Sequence, residues 1–195
     1  MQKKIAELIS LVLNPLVILM PVPFFLVFER TDNLMRSLAW TIISAFFLFV
    51  YFLLIVVGIR LKVFSDLDVS KREQRPILFI VGLFIAISYL IILFLFHAPG
   101  ILQTGTFALI LGLFIIGIFN MFTKVSGHLA VLSSFLTFVV LVEGWRFLVL
   151  FVLLPILAWA RIKTKNHTPL QTILGSTIGI LTTAIIYVIV KSAVK

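Results

Sequence analysis

The chain alternates long uncharged apolar blocks with short polar stretches. Leu8 to Phe28, Ser37 to Ile59 and Thr168 to Val190 each run without Lys, Arg, Asp or Glu, and Pro76 to Thr123 does so over a length sufficient for two helices. A helix needs about 20 apolar residues to cross the roughly 30 Å hydrocarbon layer of a bilayer. The blocks therefore predict spans at about 8–28, 38–59, 77–96, 101–122, 126–142, 146–161 and 169–190. The expected fold is all-α: a polytopic membrane helical bundle of about six to seven transmembrane helices. It forms one integral membrane domain over 1–195, with an N-terminal helix or hairpin, 8–59, added to the rest.

Breaker residues refine this outline. Asn14, Pro15, Pro21 and Pro23 interrupt the first block. Each proline removes a backbone donor, so this span is expected to be kinked or partly re-entrant. It has no small-residue cleavage site and is too long for a signal sequence, which predicts a retained helix. His97-Ala98-Pro99-Gly100 predicts a tight turn that makes a hairpin of the third and fourth spans. The sixth span, between Arg146 and Arg161, is short and gains length if its flanking arginines snorkel to the head groups.

Composition agrees with the pattern: 62% of the residues are hydrophobic and 12% charged, against roughly 45–50% and 25% in soluble domains. With no cysteine, disulfides, thiolate metal sites and a cysteine nucleophile are excluded. Sixteen Lys and Arg against seven Asp and Glu give a net charge of +9, compatible in general with nucleic acid, anionic lipid or topology signals. In a chain without a soluble basic domain, membrane lipids are the expected partners and nucleic acid is not.

Seven spans place the N-terminus and the connections Arg60 to Arg75, Thr123 to His128 and Arg161 to His167 on one side of the membrane. That face holds Lys3, Lys4, Arg60, Lys62, Lys71, Arg72, Arg75, Lys124, Arg161, Lys163 and Lys165; the other holds Arg30, Arg36, Arg146, Lys191 and Lys195. The positive-inside rule makes the richer face cytoplasmic. Cations and two histidines from three loops thus meet at one membrane surface, which is what a phosphate site needs. Arg and Lys neutralise phosphoryl oxygens, helix N-termini add N–H donors, and one histidine can attack phosphorus while another protonates the departing oxygen.

Three ordered motifs carry a resemblance. Asp68-Val-Ser-Lys71-Arg72-Glu73-Gln74-Arg75-Pro76 comes first, then Lys124-Val125-Ser126-Gly127-His128, then Ala160-Arg161 and, after five further residues, His167-Thr168-Pro169-Leu170-Gln171. In order and spacing they resemble the type 2 phosphatidic acid phosphatase superfamily, the lipid phosphate phosphatases related to vanadium haloperoxidases, which read K-x6-R-P, P-S-G-H and S-R-x5-H-x3-D. The resemblance covers 68–171. The resemblance implies a metal-independent lipid phosphatase without cofactor, acting on a lipid phosphate monoester or polyprenyl pyrophosphate in a prokaryotic plasma membrane. It implies His167 as the nucleophile that becomes phosphohistidine and His128 as general acid. Arg75 and Arg161 would bind phosphoryl oxygens, with Lys71 or Arg72 helping, and Ser126 with the Gly127 amide would complete the cradle. It also implies an extracytoplasmic site, opposite to the charge count.

The chain departs from the family at Asp68, where lysine is expected, at Ala160, and at Gln171, which replaces the carboxylate that orients the nucleophile. Gln171 either accepts a hydrogen bond from His167 or closes a capping box begun at Thr168. Plainer readings stand beside these. The histidines and arginines can be interfacial residues, and Lys163 and Lys165 lipid contacts or topology charges. Ser88, Asn120, Ser133, Ser134 and the threonines of the last span are expected to tie helices together. Asp66, Asp68 and Glu73 could suggest a magnesium-dependent transferase, but the other two loops of that face have no carboxylate, and these acids are expected to pair with nearby cations. A non-catalytic anionic-lipid binding or transport protein on the same scaffold, or a structural subunit, are the alternative functions.

Overall fold

In hydrocarbon every backbone N–H and C=O must be bonded within its own segment, so uncharged blocks of this length become helices. In the computed structural model, which describes residues 1–193, they are α1 (Gln2–Val12), α2 (Pro15–Leu19), α3 (Val22–Thr31), α4 (Leu34–Arg60), α5 (Arg75–Leu95), α6 (Gly100–Phe122), α7 (Gly127–Glu143), α8 (Leu153–Lys163) and α9 (Pro169–Ala193). 3-10 segments at Arg72–Gln74 and Trp145–Val152 lead into α5 and α8. Lys195, assigned above to the poorer face, lies outside the described residues. Among the described residues five helical stretches are long and apolar enough to cross a membrane, six if the bent pair Gln2–Leu19 and Val22–Thr31 counts as one. The protein is an all-α, polytopic integral membrane protein.

The prolines act on the first span as expected, and the break is sharper than a kink. Pro15 has no N–H for the Leu11 carbonyl, which instead accepts from Asn14 at 3.2 Å, and the chain restarts as α2. A second break before Val22 turns the axis by 45°. The short sixth span gains length in a way the sequence reading did not foresee. Arg161, expected to snorkel, is buried. Length comes instead from the eight-residue 3-10 segment ahead of the 11 residues of α8. At about 2.0 Å rise per 3-10 residue and 1.5 Å per α residue, the stretch reaches roughly 32 Å, the thickness of the hydrocarbon layer. Of the expected helix-tying residues, Ser134 of α7 and Thr183 of α9 do bond to each other, at 2.6 Å, whereas Ser88, Ser133 and Thr182 donate to the Phe84, Ala130 and Ile178 carbonyls of their own helices.

The helices fall into two compact units. One comprises Leu19–Thr106: α3 packs on α4 and α4 on α5. Its polar end is the Leu61–Lys71 loop, where Phe64 and Val69 fold back onto Ile55. The Phe64 ring sits where a Cβ on Gly58 would be. Asp66 was expected to pair with loop cations; it organises the loop itself. Its carboxylate accepts the Ser65 and Ser70 hydroxyls and the Asp68 and Ser70 amides, an Asx-type arrangement. Partial burial pushes its carboxyl up, but these hydrogen bonds outweigh that and hold it below its ordinary value.

A carboxyl held lower in the folded loop stabilises that loop fully above the ordinary carboxylate pKa, and the contribution is lost as pH falls through the lower folded value. The protection factors of the Asp68 and Ser70 amides, taken against intrinsic exchange at each pH, are therefore expected to fall as pH drops below about 4. Asp66→Ala should show the low protection already at neutral pH.

The other unit joins Met1–Ile18 to the chain from Phe107 onward. Here α1 packs on α8, and α7 lies against α9. Leu129, Leu132, Leu136 and Leu157 form its core, flanked by Ile9, Leu13 and Ile18 of the N-terminal segment.

Candidate phosphate site at the start of α7 and α9

Two short connections of this second unit meet. The first is the turn after α8. The Arg161 carbonyl accepts the amides of Asn166 and His167 at 3.1 and 3.2 Å, and Lys165 takes a left-handed conformation with φ 60°. An arginine and a histidine six positions apart are thereby folded back over one another. The second connection is Thr123–Ser126. The Lys124 ammonium donates to the Asn166 carbonyl at 2.8 Å, and the Ser126 amide donates to the Gln171 carbonyl at 3.2 Å. These two bonds stitch the Ser126-Gly127-His128 motif to the Arg161/His167 motif and set the N-termini of α7 and α9 side by side. Both ends bring partial positive charge and amide donors, suited to an anion.

Within this arrangement Arg161 and His167 are buried, at 2% and 6% exposure. Interfacial anchors would be expected to reach solvent or head groups; these do not. Ser126 is the N-cap residue of α7, yet its side chain makes no capping bond, and its buried Oγ has no hydrogen-bond partner among the described residues. A native polar atom in that condition is unusual.

Gln171 does both things the sequence left open. Its Oε1 accepts the Thr168 amide at 3.2 Å, its own amide faces the Thr168 hydroxyl at 3.4 Å, and the same Oε1 lies 3.1 Å from His167 Nδ1. The Thr168 N–H is a donor only, so the side-chain atom facing it must be the carbonyl oxygen, which fixes the amide's orientation. His167 then donates from Nδ1, and in the neutral ring Nε2 carries the lone pair. A neutral imidazole held in this tautomer presents Nε2 as a nucleophile or base.

A residue that the motifs missed also belongs here. Asn14, noted in the sequence only as an interruption of the first span, places its Nδ2 3.4 Å from Nε2 of the half-buried His128. The available signal was an Asn-Pro inside an apolar run, a pair that in hydrocarbon needs a polar partner.

Lys71, Arg72 and Arg75 lie in the Leu19–Thr106 unit. Lys71 and Arg72 are exposed. Arg75 opens α5, is 5% exposed, and donates from Nε to the Val69 carbonyl at 3.0 Å. Val69 is a fully buried β-branched residue at φ 45°, a conformation costing about 1–3 kcal/mol. The strained residue plugs the Ile55–Phe64 cluster while its carbonyl faces the guanidinium. His97 is exposed in the turn between α5 and α6.

Comparison with protein-family models, with curated proteins and with solved structures finds no match to this chain.

Proposed function

We propose that the protein is a membrane-embedded, metal-independent lipid phosphatase that hydrolyses a lipid phosphate monoester or pyrophosphate through a phosphohistidine, acting in a prokaryotic plasma membrane. The observation that carries the reading is the Thr168–Gln171–His167 arrangement, because a neutral His167 that donates from Nδ1 to Gln171 Oε1 would present Nε2 to phosphorus. Further support comes from the stitched loops, the buried Arg161 and the unsatisfied Ser126 hydroxyl.

In this mechanism His167 Nε2 attacks phosphorus, the P–O bond to the lipid breaks, and protonated His128 gives its proton to the departing oxygen. Water, losing a proton to His128, then cleaves the P–N bond and releases inorganic phosphate. Arg161, Ser126 and the Gly127 amide hold the phosphoryl oxygens, where charge builds.

Phosphate release by the detergent-purified protein, with chelator present, from a panel of lipid phosphates and pyrophosphates tests this, together with capture of an acid-labile, alkali-stable phosphoenzyme. Release together with that phosphoenzyme is the expected result. Saturable lipid binding without release would favour the second reading, an anionic-lipid binding or transport protein, which the uncharged Gln171 supports.

Gln171→Glu keeps the length and the capping box but places a carboxylate on His167 Nδ1. A charge-assisted hydrogen bond is about twice as strong as a neutral one. Turnover is expected to rise roughly tenfold, read as phosphate release per enzyme, and to fall with Gln171→Leu, which removes both bonds.

A further inference from the structure

Asn14 opens α2 in the manner of an N-cap, its Oδ1 accepting the Leu16 amide at 3.0 Å ahead of Pro15 at the first helical position. Because the Leu16 N–H can only donate, the side-chain oxygen is identified, and the group facing His128 must be the Nδ2 amide. An amide N–H aimed at Nε2 makes that nitrogen the acceptor, so neutral His128 carries its proton on Nδ1. Ile9, Leu13 and Ile18 pack against the Leu129–Leu157 core on either side of Asn14, so the amide is held by apolar contacts of its own segment. At 3.4 Å the bond is long, as catalytic hydrogen bonds often are without substrate.

From this geometry we infer that Asn14, supplied by the N-terminal segment, is a positioning residue for His128. It holds the resting ring as the Nδ1–H tautomer, with its own N–H on the Nε2 lone pair. The inference rests on the phosphatase reading for its kinetic consequence, while the tautomer itself does not depend on that reading. The second half of the cycle requires Nε2 without a proton, because the attacking water takes the place of the Asn14 amide and loses its proton to that lone pair. The first half requires Nε2 to have taken up a proton, which displaces the Asn14 amide. Asn14 therefore acts on kcat through breakdown of the phosphoenzyme, and not on lipid binding.

Asn14→Ser separates the two jobs of this side chain: serine still caps α2 but is too short to reach His128. Asn14→Asp keeps the cap and the reach but offers an acceptor in place of the donor. The first readout is nitrogen NMR of the full-length protein labelled at histidine, in detergent; with three histidines in the chain, each signal can be assigned by single substitution. Wild-type His128 is expected as Nδ1–H, Asn14→Ser as mainly the Nε2–H form that free imidazole prefers, and Asn14→Asp as Nε2–H or doubly protonated. The second readout is kinetic: Asn14→Ser should lower kcat about tenfold with KM unchanged and accumulate phosphoenzyme. Nε2–H in the wild type, or an identical His128 spectrum in wild type and Asn14→Ser, would overturn the inference. A wild type that releases no phosphate yet shows Asn14-dependent Nδ1–H would overturn the phosphatase and uphold the contact. A capping role alone predicts that Asn14→Ser matches wild type in both readouts.

Discussion

His167→Ala is expected to lower phosphate release from every substrate by at least about a thousandfold and to abolish the phosphoenzyme, because in the proposed mechanism it removes the atom to which phosphorus transfers. His128→Ala is expected to behave differently according to the leaving group. With a lipid phosphate the departing alkoxide needs a proton, and losing a general acid costs about 100- to 10,000-fold. With an activated aryl phosphate, whose oxygen leaves unprotonated, phosphoenzyme should still form at near the wild-type rate and then accumulate, since the same ring is needed to take a proton from water. Equal losses for both variants on both substrates would refute this division of roles. Phosphate release by His167→Ala would refute the phosphohistidine.

The sequence made the spans legible because hydrocarbon leaves the backbone so few options: an uncharged block of bilayer length has to be a helix. It was less informative where length and chemistry conflict. The 146–161 run looked too short for an α-helix, and the 3-10 stretch at Trp145–Val152 resolves that by rising further per residue. Periodicity carries no signal for such a change, since an apolar run with no polar face reads alike in either helix. At the site, the R-x5-H and S-G-H spacings named His167, Arg161, His128 and Ser126, and the turn geometry places them in adjoining loops of one unit. Gln171 could be read only as a choice between cap and orienter, because nothing in a sequence says that one oxygen can face Thr168 N–H and His167 Nδ1 together. Asn14 stood out as a polar residue in an apolar run, but its partner was not legible, for another reason. Its partner lies 114 positions away, and no local pattern encodes a contact of that range. Asp66 misled because opposite charges nearby in sequence suggest pairs, whereas serine hydroxyls and turn amides are closer and cost less side-chain entropy to hold.

Gly179→Leu is expected to prevent folding altogether, and Gly175→Ala to damage stability and site together. A Cβ on Gly179 would collide with the Ala130 carbonyl, the Ser133 hydroxyl and the Ser134 amide; one on Gly175 would collide with the Ser126 carbonyl. Both glycines lie on the face of α9 that meets α7, at the four-residue spacing that lets membrane helices approach backbone to backbone. The obstacles are mainly main-chain atoms, which cannot turn aside as a side-chain end can. Even the single methyl of Gly175→Ala must push α7 away at its first residue, at a cost of about 1–3 kcal/mol. That displacement falls on Ser126, whose amide bonds to the Gln171 carbonyl, so the stitch between the two motifs should open and phosphate release fall more than tenfold in protein that still purifies as a folded species. Gly112→Ala and Gly127→Ala serve as controls. At Gly112 the new methyl would meet Thr182 Oγ1 at an ordinary 3.6 Å, and at Gly127 it would meet nothing within 4 Å. Thermal unfolding in detergent should leave both controls near wild type and lower the midpoint for Gly175→Ala. Because Gly127 is proposed to work through its backbone amide, its alanine variant should also keep its activity, whereas a loss there without a loss of stability would show that the phosphoryl group needs the space and not the N–H.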